Sequence, residues 1–284
     1  MPAHHHPSLA VHKLFVAYKP TGMSSNQFLG RLKRRYKVKK AGYSGTLDPF
    51  AKGVLIVALG NATRLFRFLK KTPKVYRATL WLGAHSETLD IENVTAIDTL
   101  PVVPLKNITA ALASLQGSLT YIPPDFSAKK INGKRAYALA REGETVTLQP
   151  ITSEIHAIRL IHYCHPFITF EATVSEGTYI RSLGKLLCER LGLQGGALSA
   201  LERLSEGNFR YNNEQLLEIK EYLDMPQNIF LGAKNDMLLG KKLHVDQFHV
   251  QDPSHYWVDL GECISIIKIE NSEVHYVLNK VGIC

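Results

Sequence analysis

Residues 41–60 read AGYSGTLDPFAKGVLIVALG. The run VLIVAL within it is bounded by glycines and is far too short to span a bilayer. By length and composition it reads as a strand buried on both faces. Just upstream, Gly45 permits a close or unusual turn, and Pro49 biases Asp48 towards extended backbone. One carboxylate is thereby set at the mouth of a core strand. Asp-Pro is also a common turn pair, so the stretch alone leaves two readings open: a loop residue, or a reactive acid held rigidly.

Working outward, HKLFVAYKP reads as a strand entering a turn at Pro20 and Gly22. Ser24 or Ser25 can cap a helix whose apolar positions Phe28, Leu29, Leu32 and Tyr36 recur at helical spacing, with Arg31, Lys33, Arg34, Arg35 and Lys37 on its other faces. Asn61 offers a cap for a helix over ATRLFRFLKK, and KVYRATLWLG resumes as a strand. Helices are expected over NITAALASLQGS, starting at Asn107, and over GKRAYALAREG, ending at Gly143. Residues 165–192 read as strand, tight turn at Gly177, then helix to Gly192, and NNEQLLEIKEYL as one more amphipathic helix. From about residue 235 short β-like pieces separated by turn residues take over. The pattern predicts an α+β fold with a mixed, largely antiparallel sheet, followed by a small β-rich appendage.

With 284 residues, 45% hydrophobic and 21% charged, the composition is that of a globular chain and not a disordered one. The N-terminus lacks a secretory pattern, its histidine triplet is set aside, and a cytoplasmic location is expected. The four cysteines, Cys164, Cys188, Cys263 and Cys284, contain no C-x-x-C pair, and the cluster HYCHP (162–166) reads as packing, so no metal site is expected. The net charge of +9 points to an acidic partner, and seven of the ten residues 31–40 are Lys or Arg. A block this dense without balancing acids repels itself, which a polyanion such as nucleic acid relieves. No P-loop, G-x-G-x-x-G, H-E-x-x-H or Ser-His-Asp spacing is present. In SEGTYIRSLG (175–184), Tyr179 and Arg181 lie two apart and share a side if the segment is still extended. Arg181 can then pair with a carboxylate while Tyr179 stacks on a planar base.

Five stretches, YKPTGMSSNQF, AGYSGTLDPFAKGVLIVALGNATR, KVYRATLWLG, PPDFSAKKINGKRAYALAREG and SEGTYIRSLG, stand in this order along nearly the whole chain. Together they resemble the bacterial TruB family of tRNA pseudouridine synthases. The resemblance implies a catalytic domain (13–232, after an irregular tail, 1–12) and a C-terminal PUA-like RNA-binding domain (235–284). It implies isomerisation of the uridine at position 55, in the TΨC loop of tRNA, to pseudouridine, with no cofactor or metal. The expected partner is the T-arm stem-loop, with no membrane, guide RNA or obligatory protein partner. Asp48 would be the catalytic residue, acting as a nucleophile at the sugar or as a base. Tyr76, Tyr179, Arg181 and Leu201 would form the pocket, with Arg181 keeping Asp48 ionised at neutral pH. Contacts to RNA would come from Tyr43, Lys19 (with Pro20, structural or RNA-facing), Arg31, Arg34, Arg35, Lys37, Lys130 and Asp90. The sequence departs from the family pattern at Tyr43, where histidine is usual, at Phe126 in place of tyrosine, and at Lys129 in place of an apolar residue. A uridine stacked in a folded loop cannot reach a buried acid, so base flipping is implied.

Two other readings compete. A guide-RNA-dependent relative is disfavoured by the short C-terminal part and the lack of an N-terminal extension. A non-catalytic tRNA-binding or tRNA-folding protein of the same fold would need only the basic surface; intact Asp48, Tyr76 and Arg181 favour an enzyme.

Overall fold

The computed structural model describes residues 12–124, 130–131, 134–135 and 148–283. Strand β1 (Leu14–Lys19), helix α1 (Ser25–Arg35) and strands β2 (Ala41–Ser44), β3 (Lys52–Leu59) and β4 (Lys74–Leu82) come first. A small hairpin of β5 (Ala84–Ser86) and β6 (Val94–Ile97) precedes helix α2 (Leu105–Ala113) and β7 (Gly117–Tyr121). Two short strands, β8 (Lys130–Ile131) and β9 (Lys134–Arg135), pair with each other. The long hairpin of β10 (Ile151–Cys164) and β11 (Phe167–Val174) leads into helix α3 (Ile180–Arg190) and β12 (Gly196–Glu206). The chain ends with β13 (Gln227–Asn228), helix α4 (Lys234–Leu238), β14 (Ser254–Asp259), β15 (Cys263–Glu270) and β16 (Glu273–Gly282).

The main sheet runs in the order β1-β3-β12-β4-β11-β10-β7, with β2 also paired to β3. Its pairings are antiparallel except at one junction, where Lys52 and Gly53 of β3 run parallel to Glu202 and Arg203 of β12. A second sheet of order β13-β14-β15-β16 occupies the C-terminal part. The architecture is the expected α+β fold with a mixed, largely antiparallel sheet.

The hydrophobic run VLIVAL is the centre of this fold. Val54 to Leu59 are at most 1% exposed. Leu55, Val57 and Leu59 join Phe15, Ala17 and Leu32 in a core under α1. Val54, Ile56 and Ala58 point the other way and share a core with Trp257, Ile264, Ile266, Leu278 and Val281 of the C-terminal sheet. A third core lies where Ala78, Leu80 and Leu198 of β4 and β12 meet Ile108 and Leu112 of α2 and Leu183 and Leu187 of α3.

The parallel junction depends on a glycine. Gly53 has φ +118°, and a Cβ there would lie 2.3 Å from the backbone oxygen of Arg203. Gly53→Ala therefore forces β3 and β12 apart, and chemical denaturation should report a loss of more than about 2 kcal/mol. A near-neutral result would mean that the junction yields easily.

Several expected elements differ in the structure. Ser24 caps α1 in a capping box with Gln27, as its spacing allows. Residues 60–68, however, form a 3₁₀ helix without a side-chain cap, and Asn61 instead accepts a hydrogen bond from Lys40 Nζ. Its buried residues Ala62, Leu65 and Phe68 recur every three positions, the repeat of a 3₁₀ turn. Helix α2 begins after Pro104, so Asn107 lies within its first turn. The helix expected over residues 212–223 is replaced by a turn with Asn213 and Glu214 at φ +49° and +57°, then a single 3₁₀ turn at Ile219–Tyr222. There the backbone N–H of Leu217 donates to Leu14 O (2.9 Å). Pairing with the edge of β1 overrides an amphipathic pattern of modest strength. Lys134 and Arg135 are strand rather than helix; the rest of that expected helix, the side chain of Lys130, and Phe126 and Lys129 lie outside the described residues, as do residues 1–11 of the tail.

Candidate active site

Asp48 stands on the loop between β2 and β3, and four neighbours fix that loop. Ser25, at the start of α1, accepts from Leu47 N–H (2.9 Å) and donates to Leu47 O (3.0 Å). The backbone N–H of Gly22 donates to Pro49 O (2.9 Å), and Lys19 Nζ donates to Pro20 O, Met23 O and Pro49 O at 2.8, 2.7 and 3.5 Å. Arg203 reaches from β12 to Gly45 O (2.9 Å, from Nη2) and Val54 O (2.8 Å, from Nε), gripping both ends of the loop. Gly45 itself has φ +67° and lies against this guanidinium, where an added Cβ would come within 3.0 Å of Nη1.

The carboxylate meets its counter-charge from α3. Arg181 Nε lies 3.0 Å from Asp48 Oδ2, and Arg181 Nη1 lies 3.6 Å from Asp90 Oδ2 and 2.7 Å from Thr88 O. Asp90 is buried and accepts from the Thr88 hydroxyl (2.6 Å) and the Glu92 N–H (3.0 Å). One guanidinium thus orders the loop carrying Asp48 and the segment carrying Asp90 together. Tyr179 is the residue before α3, its N–H donating to the Tyr121 hydroxyl (3.0 Å). The segment is therefore turning into a helix at this point and is not extended as the two-residue spacing required.

Asp48, Tyr76, Tyr179, Arg181 and Leu201 line one cavity of about 280 Å³, with Lys74, Glu176 and Arg203 also in its wall. That volume lies just below the range of small-ligand sites, about 300–1,000 Å³, and suits one base-sized group. The structure hence brings Asp48 together with the four residues that the resemblance assigned to the pocket.

Other assigned residues fall elsewhere. Lys19 is fully buried and spends its donors on the carbonyls of the loop, away from solvent. Asp90, 2% exposed, faces Arg181 and not solvent. Tyr43 packs against the core under α1 and donates its hydroxyl to Asn26 (3.0 Å), outside the cavity. Arg31, Arg34, Arg35 and Lys37 are exposed, but Arg35 is ion-paired to Glu214. His165 of the HYCHP cluster contacts Leu100 O (3.1 Å) and the Tyr163 hydroxyl (3.3 Å). Among the described residues no three His, Cys, Asp or Glu side chains gather as metal ligands.

Comparison with known proteins decides the family. Residues 33–180 match the model described as TruB family pseudouridylate synthase (N terminal domain). The chain belongs to the TruB family. Among its relatives, "tRNA pseudouridine synthase B" of Sulfurimonas denitrificans is 54% identical over 271 residues, 95% of this chain and 99% of that one. The proteins of the same name from Campylobacter concisus and Nitratiruptor are 49% and 50% identical, each over 95% of this chain and at least 98% of theirs. Among solved structures, the archaeal box H/ACA sRNP Nop10–Cbf5 complex matches with TM-score 0.65 at 20% identity, covering 95% of this chain and 85% of that one. At that identity the likeness establishes the pseudouridine synthase fold. As a TruB-family member the chain is an enzyme of the pseudouridine synthase class.

Electrostatics in this TruB-family site set Arg181 against burial. Burial pushes the Asp48 carboxyl above its ordinary range; Arg181 pulls it down, Asp90 raises it further, and Lys19 opposes both burial and Asp90. The net direction is up, so Arg181 offsets the cost of desolvating Asp48 without reversing it. Burial likewise lowers the Lys19 ammonium to about 8, against the attraction of Asp48.

Arg203 and Lys74 line the cavity and were missed by the sequence reading. Arg203 is two positions from Leu201, and Lys74 two from Tyr76, so strand alternation puts each on the pocket face. That periodicity was the available signal.

Proposed function

We propose that this protein isomerises the uridine at position 55, in the TΨC loop of tRNA, to pseudouridine, acting in the cytoplasm without guide RNA or protein partner. The observation that supports this most is the Asp48–Arg181–Asp90 array at a cavity lined by Tyr76 and Leu201. The relatives named "tRNA pseudouridine synthase B" support tRNA as the substrate. Asp48 is the catalytic residue; residues 13–232 form the catalytic unit, and residues 235–284 a PUA-like RNA-binding unit.

The reaction conserves every atom. The N1–C1′ bond breaks, the uracil turns, C5 bonds to C1′, and C5 loses a proton while N1 gains one. The balance calls for no oxidant and no group carrier. Asp48 serves either by attacking the sugar or by taking a sugar proton, and both roles require its ionised form. Arg181 stabilises that form at the moment of contact. Tyr76 and Leu201 provide the planar and apolar surface that offsets unstacking of the flipped base, a cost of a few kcal/mol. No helix among the described residues is long and apolar enough to cross a membrane.

The cationic face of α1 is assigned to the RNA backbone. Because Arg35 is committed to Glu214, the informative set is Arg31, Arg34 and Lys37. Replacing these three with Ala should weaken tRNA binding and flatten the plot of log K against log salt by roughly 2. An unchanged slope would make α1 a bystander.

The T-arm assignment is tested with an isolated T-arm stem-loop. Conversion of its loop uridine at a rate comparable to full tRNA is expected. A stem-loop that binds and reacts no better than an unrelated hairpin would reject recognition through the T-arm.

A further inference from the structure

The cavity wall carries a cation, Lys74, that the chemistry at Asp48 does not use. Lys74 lies on β4 between Glu206 of β12, its partner in register, and Val174 of β11, two residues before Glu176. Its Nζ is 3.5 Å from Glu206 Oε2 and 3.8 Å from Glu176 Oε1. Glu206 is completely buried and also pairs with Arg203 Nη2 at 2.9 Å. Two desolvated cations therefore share one buried carboxylate, and the charge left over at Lys74 is met by Glu176.

The two carboxylates differ in what holds them. Glu206 is locked in the sheet. Glu176 sits 60% exposed on the turn at Gly177, on the solvent side of a lysine that is only 9% exposed. A loose pair with one exposed partner is weak and easily exchanged for another anion. The lysine is already desolvated, so replacing one anion by another exposes no new charge to an apolar surrounding.

We propose that Lys74 is the receiver of a backbone phosphate of the everted nucleotide, and that Glu176 is an internal stand-in which this phosphate displaces. The inference rests on the nucleic-acid reading given above. A nucleotide entering the cavity brings its flanking phosphodiesters to the cavity mouth. Lys74 then marks where the phosphate is received, while Asp48 and Arg181 mark where the glycosidic bond is handled. Lysine acts here as a compact point charge, suited to a single phosphate oxygen.

The test measures tRNA affinity against salt for the full chain as wild type, Glu176→Gln, Lys74→Met and the double variant. Glu176→Gln should bind tRNA about twofold to fivefold more tightly, because the competing carboxylate is gone. Lys74→Met should weaken binding and reduce the salt slope by about 0.7 to 0.9, one phosphate contact. In the Lys74→Met background, Glu176→Gln should have no further effect. The proposal is overturned if Glu176→Gln fails to tighten binding. It is equally overturned if the gain persists without Lys74, since that would be general repulsion. Glu176 lies on an exposed turn, so its variant stays informative even if Lys74→Met disturbs the buried cluster. Wild-type protein that neither binds nor modifies tRNA would sink the functional reading instead, a separate outcome.

Discussion

Asp48→Asn is expected to abolish pseudouridine formation, lowering the single-turnover rate by at least about 10³-fold, while tRNA binding stays near that of the wild type. Amide and carboxylate have nearly the same shape, and the loop is held by Ser25, Lys19 and Arg203 rather than by the Asp48 side chain. The substitution thus removes the charge and the nucleophilic oxygen without dismantling the pocket. Persistent binding with lost turnover also separates the enzyme from a tRNA-folding protein, whose action would survive the change. Equal activity of variant and wild type would show that another group carries the chemistry.

Arg181→Met is expected to reduce turnover by roughly 10²-fold or more and to move its pH dependence. Arg181 pairs with Asp48 and neighbours Asp90, and it is 5% exposed. Burial already raises the Asp48 carboxyl, and Arg181 is the foremost influence lowering it. The sign follows: with Arg181 removed, Asp48 holds its proton to higher pH. The ionised fraction, and with it the rate, then recovers only at more alkaline pH than in the wild type. The acid limb of kcat/KM should shift upward in Arg181→Met and much less in Arg181→Lys, which keeps the charge. Lysine cannot reach Asp48, Asp90 and Thr88 O as a planar fork does, so Arg181→Lys should still lose rate. An unmoved acid limb in both variants would remove Asp48 ionisation from the rate.

The legible parts of the fold were those whose signals are local. VLIVAL announced a strand covered on both faces, the serines at 24 and 25 the start of a helix, and Gly177 the turn before α3. Local signals also misled where tertiary contacts won. Residues 212–223 carry an amphipathic pattern, yet Leu217 pairs with Leu14 and Glu214 meets Arg35 and Tyr36. At the site, the pocket residues came from the resemblance, because Asp48, Tyr76 and Arg181 are far apart in the chain and nothing local joins them. For Lys19 the resemblance left structural and RNA-facing roles open; only three-dimensional closure reveals that its donors are consumed by carbonyls. Arg203 escaped notice for the same reason, its partners Gly45 and Val54 lying some 150 residues upstream. The upward direction at Asp48 was not readable either, since a sequence displays the counter-charge but not the depth of burial.

The most direct measurement is chemical mapping of pseudouridine in an unmodified tRNA transcript incubated with the purified protein in substoichiometric amount. Multiple turnovers with product confined to the TΨC-loop uridine are expected. A transcript that is bound yet carries no pseudouridine in that loop would contradict the assignment of Asp48 and its pocket to this reaction.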